Sequence, residues 1–228
     1  VIAYFFGSSA AADTFFLAFR IPNFFRRLFA EGAFSQAFIP VLSEYKQGGD
    51  RSALRSLLDH TAGTLGLALL IFTGLGMLCA AGAITVFAAG YVYQEETEKI
   101  YLATQMLRIT FPYLLLISLT AFAGAILNTF GRFAVPAFTP VLLNLSLIGS
   151  AIWLRPYFDF PVLALAWGVL IAGFVQLAFQ LPFLARLGLL PRLKVDFKHT
   201  GVRRILRLMV PAMFGVSVGQ INLLLDTV

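Results

Sequence analysis

Residues 11–46 read AADTFFLAFRIPNFFRRLFAEGAFSQAFIPVLSEYK, a stretch crowded with phenylalanine and alanine yet punctuated by Asp13, Arg20, Arg26, Arg27 and Glu31. Asp13 follows the small-residue run GSSAAA and marks the first turn of a helix that the pattern carries to about Tyr45. At about 100° per residue, Asp13, Arg20, Arg27 and Glu31 fall within an arc of about 40°, so this helix carries one polar stripe. Pro22 interrupts the hydrogen-bond ladder and leaves the phase of the later half open, so Arg26 and Arg27 are both kept as stripe residues.

The rest of the chain is made for lipid. Of 228 residues, 59% are hydrophobic and 12% charged, against roughly 45–50% and about 25% in soluble domains. A bilayer core about 30 Å thick takes about 20 apolar residues at about 1.5 Å each. Five windows free of Asp, Glu, Lys and Arg fit that length: Thr61–Gln94, Ile109–Gly131, Phe133–Leu154, Phe160–Ala185 and Leu208–Leu225. The first has residues to spare, and Gly82 and Gly90 predict that its helix ends before Gln94. The windows are apolar on every side, whereas a transmembrane strand alternates in polarity over about ten residues, so the fold class is an all-α polytopic membrane protein. The chain opens on VIAYFF and ends on NLLLDTV. Both read as pieces of apolar helices, and the expectation is a fragment cut inside two of them. Cys79 falls in mid-window and is expected to be a small buried apolar residue, and one cysteine makes no disulfide within the chain.

Basic residues set the orientation, because short loops rich in Lys and Arg stay on the cytoplasmic side. SEYKQGGDRSALRS holds Lys46, Arg51 and Arg55, whereas YVYQEETEKI is acidic apart from Lys99. From Arg186 to Arg207 there are seven Lys and Arg residues. The loops at 43–60, 128–133 and 186–207 are therefore placed inside, with His60 and His199 in two of them. The net charge of +6 is mostly this asymmetry. It speaks for topology and anionic-lipid contact and against nucleic-acid binding. HTGVRRILRLMVP reads as an interfacial helix with Val202, Ile205, Leu206 and Met209 on its apolar side.

Energetics make the stripe informative. A charged side chain at mid-bilayer costs roughly 2.5–3.5 kcal/mol on insertion scales. A pairing of Arg27 with Glu31, or snorkelling of Arg20 or Arg26, accounts for single residues. It does not account for the whole set together with Asn23, Ser35 and Gln36, so the stripe is expected to face a water-filled cavity or a protein interior. Surplus positive charge there suits an anionic ligand, and the planar guanidinium fork suits phosphate or carboxylate. Ala164, Gly168 and Ala172 recur every fourth position and predict close helix packing. Arg108 sits at the start of the fourth span, near enough to the surface to snorkel, and is left outside the site.

The residues 11–46 resemble the hallmark second-helix region of the MurJ/MviN family, the lipid II flippases of the multidrug/oligosaccharidyl-lipid/polysaccharide exporter superfamily. RITFPYLLLISL, GAILNTFGRFAVPAFTPVLLN and VLALAWGVLIAGFVQLAFQLP look like that family's fourth, fifth and sixth helices. The resemblance implies an N-terminal lobe of six transmembrane helices, the first truncated here, plus the start of a seventh. In that reading 1–185 is the transmembrane lobe, 186–207 a basic cytoplasmic inter-lobe loop with an interfacial helix, and 208–228 the beginning of a second lobe. The two lobes would face each other across a central cationic cavity, in the bacterial cytoplasmic (inner) membrane. Carried over residue by residue, the family's cavity arginine after the Pro-Asn pair matches Arg26, with Arg27 beside it, and Asp13, Asn23 and Glu31 complete the substrate-binding set. The family's remaining basic residues lie outside this stretch of sequence.

The implied activity is translocation of lipid II, an undecaprenyl-pyrophosphate-linked peptidoglycan precursor, from the inner to the outer leaflet by alternating access. The implied partners are lipid II, the bilayer and the second lobe of the same protein, with no cofactor and no metal. Two alternatives stay open at this point: export of another polyprenyl-linked glycan, and a membrane enzyme acting on polyprenyl phosphates. The enzyme reading lacks a carboxylate cluster with metal-ligand spacing beyond QEETE, which reads as a solvated outward loop.

Overall fold

The computed structural model describes residues 10–87 and 97–225. The expected truncated first helix, the loop residues 88–96 and the last three residues lie outside them. Within them the regular elements are all helices, with no strand. Helix α1 (Ala10–Phe25), a π-helical segment (Arg26–Ala33) and α2 (Phe34–Gln47) follow one another without a break. Then come α3 (Arg51–Leu78), α4 (Ala80–Phe87), α5 (Thr97–Thr110), α6 (Tyr113–Thr129), α7 (Ala134–Trp153), α8 (Leu163–Arg186) and α9 (Thr200–Leu225). Among the described residues four stretches are long and apolar enough to cross a membrane: Arg51–Leu78, Glu98–Thr129, Ala134–Trp153 and Leu163–Arg186.

Helix ends depart from the charge-free windows for a physical reason: lipid selects apolar side chains only along the buried part of a helix, whereas the backbone continues beyond it. The carboxylate of Asp50 accepts the amide hydrogens of Ser52 at 2.8 Å and Ala53 at 3.2 Å, which caps α3 well upstream of Thr61. The expected loop at 43–60 is therefore mostly helix, and His60 stands on α3 rather than in a loop. Gly49, at φ 74°, makes the turn between α2 and α3. Likewise α5 starts at Thr97, so Arg108 lies near its end and not at the start of the span. Pro112 cannot donate to the ladder, and the helix reopens after it as α6.

Cys79 corrects another expectation. It sits at the step between α3 and α4 and is exposed. Its amide still bonds Leu75 O at 2.9 Å, and the amide of Ala83 bonds Cys79 O at 2.9 Å, so the chain bends there without losing its helical bonds. An apolar run does not say which side faces inward, because in lipid the outer face is apolar too.

The helices divide into two compact units, with the divisions falling inside helices. The first comprises Val1–Phe24, Leu70–Leu116 and Phe138–Gln176. In it Phe15 stacks on Phe19 at 5.7 Å, and Phe19 meets Tyr113 at 6.3 Å. The small-residue stripe brings backbones together: a Cβ on Gly168 would come within 2.9 Å of the Ser150 side chain, and one on Gly173 within 2.9 Å of Leu116 and Tyr113. Ala164 and Ala172 are fully buried on the same helix. The buried Gln176 amide donates to Thr139 O at 2.8 Å, which satisfies a polar group that would otherwise be costly there.

The second unit comprises Phe25–Leu69, Ile117–Ala137 and Leu177–Val228. Its centre is aromatic, with ring centroids 5.1 Å apart for both Phe34–Phe38 and Phe38–Phe122. Leu42, Leu57, Leu58, Ile126, Leu127, Leu184 and Ile205 close around them. Helix α9 packs on α2 and on the π-helical segment. Replacing Gly168 by Val should lower the stability of the protein by about 1–3 kcal/mol through overpacking against Ser150. Gly74→Ala, at a position with open space around the Cβ, should not destabilise it; thermal unfolding in detergent compares the two.

Candidate functional site

The stripe residues all lie on the continuous helical run from Ala10 to Gln47. Asp13 is near the start of α1, and Asn23 near its end is half-buried. Arg26 and Arg27 open the π-helical segment, Arg26 half-buried and Arg27 exposed, and Glu31 lies further along it. The side chains of Asp13 and Glu31 lie outside the described residues. Asp13 and Asn23 belong to the first compact unit, and Arg26, Arg27 and Glu31 to the second. Arg20 is exposed, as is Gln36, while Ser35 is half-buried.

The π-helical segment changes the geometry that periodicity assumed. The α-helical pattern persists through Pro22 to Phe25 and widens only at Arg26. A π-turn takes more residues per revolution than an α-turn, so a constant step of about 100° does not hold beyond Arg26. The wide segment itself packs against α2 and α9. Such segments recur at functional sites.

A second set of polar groups, which periodicity gave no reason to join, lies in the second unit. Helix α8 ends at Arg186; Gly188, at φ 67°, closes the turn after it, and the amide of Leu189 bonds back to Leu184 O at 3.0 Å. The bare carbonyls at this helix end are taken by α3: Arg51 donates to Leu187 O at 3.1 Å, and Arg55 donates twice to Gly188 O, at 2.8 and 3.1 Å. Cations at a helix C-terminus are favoured by its dipole. A Cβ on residue 188 would come within 2.9 Å of the Arg51 guanidinium, a flexible end that can shift, so it is the positive φ that calls for glycine there.

Past that turn the chain runs back along α3. The carboxylate of Asp59 accepts the Arg192 amide at 2.8 Å and pairs with the Lys194 ammonium at 3.3 Å. The amide of Asp196 donates to the Thr64 hydroxyl at 3.2 Å. His199 then stacks on His60, centroids 4.7 Å apart, with the Ser56 hydroxyl 3.3 Å from a nitrogen of each ring. His60 Nδ1 lies 2.7 Å from Ser56 O. A carbonyl only accepts, so this nitrogen carries a proton. Further along, Arg204 grips both oxygens of Glu44, Nη2 to Oε1 at 2.8 Å. On the apolar side of the start of α9, Val202 and Ile205 are buried and Met209 packs on the core, whereas Leu206 is exposed.

Two cavities accompany these contacts. One, of about 470 Å³, is lined by Arg55, Asp59 and Arg192 with Leu189 and Leu190. The other, of about 440 Å³, is lined by Ser43, Lys46, Gln47, Asn128 and Thr129, and there Lys46 donates to Thr129 O at 2.6 Å. Among the described residues no three His, Cys, Asp or Glu side chains come together as metal ligands.

Burial and the neighbouring His60 hold His199 below the usual histidine range, with Asp196 opposing them. The folded form therefore disfavours the proton. Its contribution is intact above the ordinary histidine pKa of about 6.5 and is lost as pH falls through the depressed value. Hydrogen exchange at the amides of Lys194 and Asp196 should show weaker protection at pH about 5.5 than at about 7.5. That difference should shrink in His199→Gln; an equal difference in both proteins would remove His199 as its cause.

A family model described as "Lipid II flippase MurJ" matches residues 2–228. A probable lipid II flippase MurJ of Haemophilus influenzae is 49% identical over 233 residues, covering 100% of this chain and 46% of the relative. A lipid II flippase MurJ of Burkholderia cenocepacia is 42% identical over 231 residues, covering 100% of this chain and 44% of the relative. The chain thus spans somewhat under half the length of these relatives. A solved structure described as "Lipid II flippase MurJ, inward closed conformation" superposes with a TM-score of 0.73 at 28% identity, over 99% of this chain and 45% of that one.

Proposed function

The chain belongs to the lipid II flippase MurJ family, and from that membership we propose that it forms the N-terminal lobe of a flippase carrying lipid II from the inner to the outer leaflet of the bacterial cytoplasmic membrane. The lobe in this reading has six transmembrane helices, and α9 leads into the second lobe. Residues 186–207 face the cytoplasm, where their basic side chains meet an anionic leaflet.

One observation carries this reading: an arginine pair, Arg26 and Arg27, opens a π-helical segment packed on α2 and α9, in a chain with four stretches apolar enough to cross a membrane. Ionised groups among membrane helices are expensive unless they face water or a partner, and they mark substrate pathways. In this reading the pyrophosphate and carboxylates of lipid II are the anions that the arginines meet. Two adjacent guanidinium groups bind such oxygens through short, charge-assisted hydrogen bonds. Glu31, on the same segment as the arginines, orients them, and Asp13 and Asn23 belong to the proposed substrate-binding set. The polyprenyl tail stays in lipid while the headgroup enters the cavity between the lobes. Rocking of one lobe against the other then opens that cavity to the opposite side. No step in this scheme makes or breaks a covalent bond.

The test is Arg26→Ala in the full-length protein, as the sole copy in cells depleted of the native flippase. A lost charge-assisted hydrogen bond is worth about 1.5–3 kcal/mol, or roughly ten- to a hundredfold in affinity. Lipid II should therefore fail to become accessible at the outer leaflet while protein levels stay normal. Undiminished appearance of lipid II outside would remove Arg26 from the site.

A further inference from the structure

The extended segment between α8 and α9 has two different sides. On the side toward α3, the Arg192 amide and the Lys194 ammonium meet the Asp59 carboxylate, the Lys194 amide meets Asp59 O at 3.2 Å, and the Asp196 amide meets Thr64. Gly63 leaves room for the crossing: a Cβ there would fall 2.2–2.6 Å from the backbone of Lys194. No small displacement relieves a clash with backbone, so the segment is seated on α3. The pins also give a direction. Arg192 sits at Asp59 and Asp196 at Thr64, so the chain advances along α3 toward its apolar part. It then returns through Lys198 to His199, beside Ser56 and His60.

On the opposite side an apolar row projects outward. Val195 and Phe197 are each 51% exposed and Leu193 is 75% exposed. This is the period-two alternation of an extended chain: polar groups turned to the helix, apolar ones turned away. Capping Asp59 and Thr64 explains the inward row. It leaves three large apolar side chains in five residues without a role, and a loop standing in water has no reason to gather them.

We propose that Leu190–Phe197 is a membrane-surface strap, whose outward row of Leu193, Val195 and Phe197 inserts at the headgroup boundary of the bilayer. The occupant follows from what the strap adjoins. It lies on residues 59–64 of α3, inside a stretch long and apolar enough to cross the membrane. The apolar row therefore lies beside a stretch whose length and composition suit lipid. Exposed Arg192 and Lys198 flank the row, where their charges suit anionic headgroups and their long stems reach the interface. Pinned in this way, the segment acts as a preformed interfacial anchor. The inference rests on the chain crossing a membrane and is independent of what it transports.

The test uses the full-length protein with its native cysteines replaced, reconstituted in mixed phosphatidylglycerol and phosphatidylcholine vesicles. Leu193→Cys and Phe197→Cys each carry an environment-sensitive fluorophore. Both positions are exposed, so the labelled proteins should retain normal thermal stability. Emission should shift to the blue, and lipids spin-labelled near the headgroup should quench it at least twofold, with little quenching by aqueous iodide. Efficient quenching by iodide would place the row in water and overturn the proposal. Protection from both quenchers would show that protein covers the row, the second lobe or another partner, and would overturn it equally. Flipping activity does not enter the readout, so failure here is separable from failure of the flippase reading.

Discussion

Hydrocarbon does not solvate a polar group, and this constraint governs the whole molecule. Backbone amides must bond within their own helix, and an ionised side chain must find water, a counter-charge or a bare carbonyl. The first requirement makes the described residues helical. The second explains where their charges sit. Arg51 and Arg55 close the end of α8 through the carbonyls of Leu187 and Gly188, Asp59 is occupied by Lys194 and the Arg192 amide, and Glu44 is held by Arg204. Each contact neutralises a group at the edge of an apolar span. Arg26 and Arg27 differ in place, since they open a widened turn in mid-run.

The polar contacts of the second unit share one purpose. Those of Arg51, Arg55, Asp59, Thr64 and the two histidines tie residues 187–199 to α3. The connection between α8 and α9 is therefore a fixed part of the fold rather than a free linker. In the proposed flippase this connection joins the lobes. A pinned joint lets motion pass through α9, which packs on both α2 and the π-helical segment. Rearrangement of α9 would then be felt directly at the turn that bears Arg26 and Arg27.

Much of this was legible beforehand, for reasons that differ by residue. The spans in α6, α7 and α8 fall where the charge-free windows put them, because lipid filters side chains one by one. The packing role of Ala164, Gly168 and Ala172 was readable from spacing alone, since a fixed period on a helix is a fixed face. Family membership was readable from residues 11–46, a motif long enough to be specific. Helix starts were read less well. Arg51 and Thr97 begin helices in polar sequence, where only a cap such as Asp50 signals the start. Cys79 was misread as buried because apolar composition does not separate a lipid-facing side from an inward one.

What the sequence determined by itself is the class of structure and its relatives. Both follow from local information: side-chain polarity summed over about 20 residues, and a contiguous motif. What only the tertiary structure decided is which distant groups meet. Asp59 and Lys194, or His60 and His199, lie more than a hundred positions apart, and their encounter depends on the path of the chain from α3 to α9. The widened turn at Arg26 was hidden for a related reason: its neighbours in space, α2 and α9, include one that is remote in sequence, and periodicity counts a single helix without knowing what presses against it.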